Sequence, residues 1–201
     1  MKDQIIDTAS ELFLNLGFKS VTMDDLAEHM GISKKTIYSH FANKTELVEE
    51  CTIRLFNQIV HGINCICDQG MNPIEEIYEV KKFALLNLKN EKASPQYQLK
   101  KYYPQISEML LQKQFEVMQD CVLNNIRRGM EMGIYRQDLD PEFVWRIYFA
   151  GVSSLKDDTL FPRHTFPMVH LMDIYLEYHL RGIVTPRGRT TLNKIINSNH
   201  E

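Results

Sequence analysis

The stretch "GISKKTIYSHFANK", Gly31 to Lys44, decides how this chain is read, because it sets two lysines at the start of a short helix. Ser33 fits an N-cap, so Lys34 and Lys35 fall in the first turn. The unpaired N–H groups there already carry partial positive charge, and each cation is disfavoured by about 0.3–1 kcal/mol. From Ile32 to Thr45 the chain has three lysines and no acid, while Asp24, Asp25, Glu28 and Glu46 stand just outside. A helix start that is unfavourable in the free protein becomes favourable beside a polyanion.

Outward from that stretch, the flanking residues form short helices. Thr22 fits an N-cap with Asp25 as a weak capping-box partner, and Leu26, Ala27 and Met30 give the second helix its buried side. Gly31 ends it. Upstream, Ile5, Ile6, Ala9, Leu12, Phe13 and Leu16 form the stripe of a first helix, Gly17 stops it, and Phe18 folds back onto it. Downstream, Ile37 and Phe41 face inward from the third helix. Asn43 with Glu46 caps a fourth, whose apolar pattern runs to about Cys67. Helix two, the turn through Gly31 and helix three make a helix-turn-helix, whose second helix can enter a major groove N-terminus first. Thr36, Tyr38, Ser39 and His40 then offer hydroxyl and imidazole donors between the lysines, and Lys44 places a third cation in the first turn of helix four. A solvated face on a purely structural three-helix unit is the other reading that these spacings allow.

The rest of the chain keeps helical periodicity, so the fold class is all-α. The spacing predicts helices from Pro73 to about Leu88, one or two between Pro95 and Met132, one over Glu142–Leu155, and one from Met168 to about Arg181. "MGIYRQDLDPEF" reads as a polar turn, "LFPRHTFP" as a break, and "GIVTPRGR" as the lead into a polar tail. From Met168 to Ile183 apolar residues wrap most of the helix, with His170, Asp173, Glu177 and Arg181 as a narrow polar row. Such a helix is buried on more than one side, either at the centre of one chain or between two.

Composition sets wider limits. The 201 residues are 44% hydrophobic and 24% charged, enough for a real core. A net charge of −3 with a pI near 6.2 means that any nucleic-acid surface must be local. The four cysteines lack the density of a disulfide scaffold, no signal-peptide pattern precedes the first helix, and no run of about 18 apolar residues occurs. The expected setting is cytoplasmic and reducing. Cys65 and Cys67, two apart on a helix, do not face each other, so they read as small buried hydrophobes rather than as a metal or redox site. The histidines are scattered. "GVSSL" at Gly151 lacks the second glycine of a nucleophile elbow. No catalytic, metal or cofactor constellation emerges, which counts against the competing class of a helical enzyme or small-molecule carrier.

The segment "TMDDLAEHMGISKKTIYSHFANKTEL" resembles the DNA-binding signature of the TetR/AcrR family of bacterial transcriptional repressors. Thr22, Leu26-Ala27, Gly31-Ile32-Ser33, Ile37-Tyr38, His40-Phe41, Lys44 and Leu47 match in register without a gap, and Ala9 to Phe18 fit the family's first helix. The likeness covers about the first quarter of the chain. It implies a helix-turn-helix domain over residues 1–46, a helical effector-binding and dimerisation domain over 47–184, and a polar tail over 185–201. It implies phosphate contacts from Thr22, Tyr38, His40 and Lys44, with Lys34, Lys35, Thr36 and Ser39 facing the groove. It further implies a homodimer on a palindromic double-stranded operator, released by a small-molecule effector, with no cofactor and no membrane. For an effector pocket, Tyr78, Phe83, Tyr97, Tyr102, Tyr103, Phe115, Trp145, Tyr148 and Phe149 supply aromatic material without singling out a ligand.

Overall fold

The computed structural model describes residues 1–88 and 95–198. Its elements are α1 (Lys2–Leu16), α2 (Met23–Met30), α3 (Lys34–Tyr38), α4 (Lys44–Cys67), α5 (Pro73–Leu88), α6 (Pro95–Tyr102), α7 (Pro104–Glu131), α8 (Pro141–Ser154), α9 (Met168–Ile183) and α10 (Pro186–Ser198). Among the described residues the β structure is an isolated bridge between Tyr135 and Val184, so the all-α expectation holds. No helix of the described residues is long and apolar enough to cross a membrane.

The chain divides into two compact units, residues 1–62 with 86–114, and residues 63–85 with 115–201. The boundary expected at residue 46 therefore falls inside the first unit, which takes in most of α4. In this unit Ile5, Ile6, Ala9 and Phe13 of α1, Leu26 of α2, Ile37 of α3, Phe41, and Leu47 and Val48 of α4 share one buried cluster. Leu16, read as part of the α1 stripe, is 58% exposed instead. Gly17 and Gly31 take positive φ, 86° and 64°, which a side chain resists. Two residues from α6 and α7, Leu99 and Ile106, close the cluster from far along the chain. Nearby, the Gln98 side chain accepts from the Lys19 N–H at 3.2 Å.

The second unit is built on long-range partners. Trp145, Tyr135, Ile74, Leu176, Leu180 and Leu192 are fully buried in its core. Beneath them Glu76 of α5, only 2% exposed, pairs with Arg128 and accepts from Asn125 Nδ2 at 2.7 Å. Asn125 also donates to the Pro73 carbonyl at 2.9 Å and accepts from the Tyr135 hydroxyl at 3.2 Å. A buried carboxylate persists here because every oxygen has a partner.

Three expectations are corrected in this unit. The "polar turn" after Met132 carries two core residues, Ile134 and Tyr135. The segment read as a polar tail forms α10 and buries Leu192 completely. Its start was legible: the Gly188 N–H donates to Thr185 Oγ1 at 3.2 Å, and Pro186 occupies the first turn, a cap followed by proline at N1. Cys67 is no isolated hydrophobe either, since it is disulfide-bonded to Cys121 of α7, while Cys65 is exposed.

Candidate nucleic-acid interface

Each helix start from α2 to α4 is delimited by its own side chains. Thr22 Oγ1 accepts from the Asp25 N–H at 3.1 Å, and Asp25 accepts from the Thr22 N–H at 2.8 Å, a complete capping box. The Thr22 N–H and the Thr22 hydroxyl, which donates to the same carboxylate at 2.8 Å, hold the Asp25 carboxyl below its ordinary value. Ser33 Oγ accepts from the Thr36 N–H at 3.1 Å and opens α3. Asn43 Oδ1 accepts from the Glu46 N–H at 2.9 Å and opens α4, while Glu46 reaches back to the Ala42 N–H at 2.6 Å. Caps at three successive starts fix the turns between these helices.

Helix α3 is short, and only its Ile37 is buried; Phe41 beyond it completes the inward side. Lys34, Lys35, Tyr38 and Ser39 are exposed, and Thr36 and His40 are half-buried. The Ser39 hydroxyl donates to the Thr36 carbonyl at 2.7 Å, and the Thr36 and Ser33 hydroxyls lie 2.8 Å apart. These hydroxyls are thus held in place locally with bonding capacity left over.

Two of the three lysines are already engaged within the chain. Lys34 Nζ donates to Asp24 at 2.8 Å, and this partner raises its pKa. The acid that lies outside the basic stretch in sequence folds back to its first cation. Lys44 is also engaged: its ammonium donates to the Phe18 carbonyl and sits 5.9 Å from the Phe13 ring centre, and burial lowers its pKa. It ties the start of α4 to the end of α1. An ammonium has three donors, so this contact leaves room for an anion.

Residues 5–51 match the family described as bacterial regulatory proteins, tetR family. These residues form a TetR-family DNA-binding domain. The chain is thus a DNA-binding transcriptional regulator of the helix-turn-helix kind rather than an enzyme. Among curated relatives it is similar to the HTH-type transcriptional repressor KstR2 of Mycobacterium tuberculosis, 24% identical over 152 residues, which cover 72% of this chain and 74% of that one. Among solved structures it resembles SmeT, the repressor of a Stenotrophomonas maltophilia multidrug efflux pump, with a TM-score of 0.71 and 19% identity over 92% of this chain and 91% of that one. It also resembles a regulator from Saccharomonospora viridis solved in complex with choline, with a TM-score of 0.75 and 20% identity over 92% and 97% of the two chains. At these identities the structural likenesses show the TetR-family fold alone.

The aromatic residues considered for a pocket are divided between the two units. Tyr97, Tyr102 and Tyr103 belong to the first unit, and the first two are exposed. Phe115, Trp145 and Phe149 cluster in the second, with ring centres 5.1–5.3 Å apart. Trp145 is fully buried, and its Nε1 has no hydrogen-bond partner among the described residues. Sequence reasoning could list these rings but had no signal for the orphaned donor.

Proposed function

We propose that the chain is a ligand-responsive repressor that binds a palindromic operator as a two-fold dimer and is released by a small-molecule effector in the cytoplasm. The observation that carries the reading is the exposed row of Lys34, Lys35, Tyr38 and Ser39 above buried Ile37 and Phe41. In it Lys34, Lys35, Thr36 and Ser39 face the groove, while Thr22, Tyr38, His40 and Lys44 contact phosphates. Lys34 exchanges Asp24 for DNA on binding. Residues 1–46 carry the DNA contacts, and residues 47–184 carry effector binding and pairing.

Pairing is supported by two faces on α9. Leu176, Leu180 and Ile183 are buried on one side of it, whereas Ile174 and Tyr178, one turn apart on the other side, are exposed, Tyr178 by 78%. Phe143 and Ile147 of α8 are exposed as well. Exposed apolar side chains on these two helices suit an interface. An effector is supported by the unpaired Trp145 Nε1 among aromatic rings, a donor that an acceptor-bearing molecule would satisfy. The choline bound by the Saccharomonospora viridis regulator supports a small molecule as the effector class, without naming this chain's effector.

The test is selection of duplexes from a random pool, followed by titration against salt. A two-fold symmetric sequence whose affinity falls steeply with salt is expected. Absence of any enriched sequence would sink the reading. For pairing, the Ile174→Asp/Tyr178→Glu double variant should sediment as a folded monomer. Leu176→Asp is the wrong probe, because that side chain is buried within its own chain.

A further inference from the structure

Cys67 ends α4, and its sulfur is bonded to that of Cys121 on α7 across a sequence separation of 54. Both residues are half-buried, so neither is sealed from a small solute. The Glu76 carboxylate lies within 4.8 Å of both sulfurs. It is buried and held by Arg128 and Asn125, so it cannot turn away. A thiolate formed here meets a like charge at Glu76 and the negative end of α4. The disulfide and the protonated dithiol are both uncharged. Either state therefore sits beside Glu76 without stranding a charge, which suits a pair that interconverts.

We propose that Cys67 and Cys121 are a reversible thiol–disulfide site, closed by low-molecular-weight disulfides and opened by low-molecular-weight thiols, and that closure weakens DNA binding. In the closing reaction the thiolate of one cysteine attacks a disulfide RSSR. The S–S bond breaks, and the first RS⁻ leaves and takes up that cysteine's proton. The second cysteine then attacks the protein sulfur of the mixed disulfide, its own proton passing to the second RS⁻ as that leaves. Two protein thiols are oxidised and one RSSR is reduced to two RSH.

The DNA coupling rests on the operator reading above. α4 leads the chain from α3 into the second compact unit, and its residues 63–67 already belong to that unit. With the bond open, its last turn has no covalent tie to α7. With the bond closed, that turn is anchored covalently to α7. Two recognition helices must settle into their grooves together, and α4 must follow them. An anchor that removes this freedom favours the unbound form, and any such difference couples the two sites reciprocally.

The experiment uses the full chain carrying Cys65→Ser, which removes the exposed thiol, in the presence of a chelator and a graded ratio of reduced to oxidised glutathione. The Cys67–Cys121 cross-link is read by mass spectrometry after alkylation, and affinity for the selected duplex is measured at constant salt. The expected result is a cross-link that forms and opens reversibly, with the closed form binding DNA at least about fivefold more weakly. Cys121→Ser should bind at one affinity across the series. A cross-link that stays closed in excess dithiothreitol, or closed protein that binds as tightly as open, overturns the proposal. Stoichiometric zinc retained by reduced protein without chelator, and lost in Cys67→Ser, would assign the pair with Glu76 to a metal instead. Loss of DNA binding in both states sinks the operator reading along with the coupling, whereas intact binding without a redox response sinks the switch alone.

Discussion

The DNA-facing segment and the second compact unit hold their helix ends in opposite ways. Thr22, Ser33 and Asn43 each accept a backbone N–H three residues ahead, so every start there is secured within one turn. In the second unit Thr185 also opens α10, but its hydroxyl donates to the carbonyls of Gly133 and Ile134, more than fifty residues away. Glu76 of α5 depends on Asn125 and Arg128 of α7 in the same long-range manner. A local cap is worth about 1 kcal/mol and can be lost singly. A buried partner set carries a larger penalty, because its remaining members stay behind without water.

The largest effect should therefore come from Glu76→Ala, which leaves the Arg128 guanidinium without its carboxylate. A loss of about 3–5 kcal/mol in urea unfolding is expected. A loss near 1 kcal/mol would erase the contrast between the two units. Next is Gly188→Ala in α10. Alanine normally stabilises a helix interior by about 0.5–1 kcal/mol. Here its Cβ would stand 2.3 Å from the Ile134 carbonyl oxygen, so a loss of about 1–3 kcal/mol is expected instead. The sign alone decides whether α10 is docked or merely helical.

Thr22→Ala should cost about 1 kcal/mol, the ordinary value of a cap. Its partner makes this contribution pH-dependent. The folded Asp25 carboxyl titrates below its ordinary value of 3.8, so the stabilisation is complete above that value and is lost as pH falls through the folded pKa. Asp25→Asn should flatten the acid limb of a stability-versus-pH curve, and an unchanged limb would remove the capping box from the account. The smallest effect on stability belongs to Lys34→Ala. The helix dipole alone predicts a gain, but the exposed pair with Asp24 offsets it, leaving a change within about 0.5 kcal/mol. Operator binding should nevertheless weaken, with the salt slope reduced by about one unit. An unchanged slope would leave Lys34 as a surface charge paired only with Asp24.

The sequence by itself determined whatever depends on neighbours along the chain. The all-α class, α1 to α5, the N-caps of α2, α3 and α4, and the inward Ile37 and Phe41 were all legible, because helix periodicity and capping act over three or four residues. The tertiary structure decided what depends on distant partners. It buried Tyr135 inside an apparent turn, docked α10 against Ile134, paired Lys34 with Asp24, and turned Lys44 toward Phe18. It also split α9 into an inner face through Leu176 and an outer one through Tyr178, a division that near-continuous apolarity conceals. Cys67 and Cys121 belong to this second class. Their pairing across 54 positions has no periodicity to reveal it, and only the tertiary fold brings the two sulfurs together.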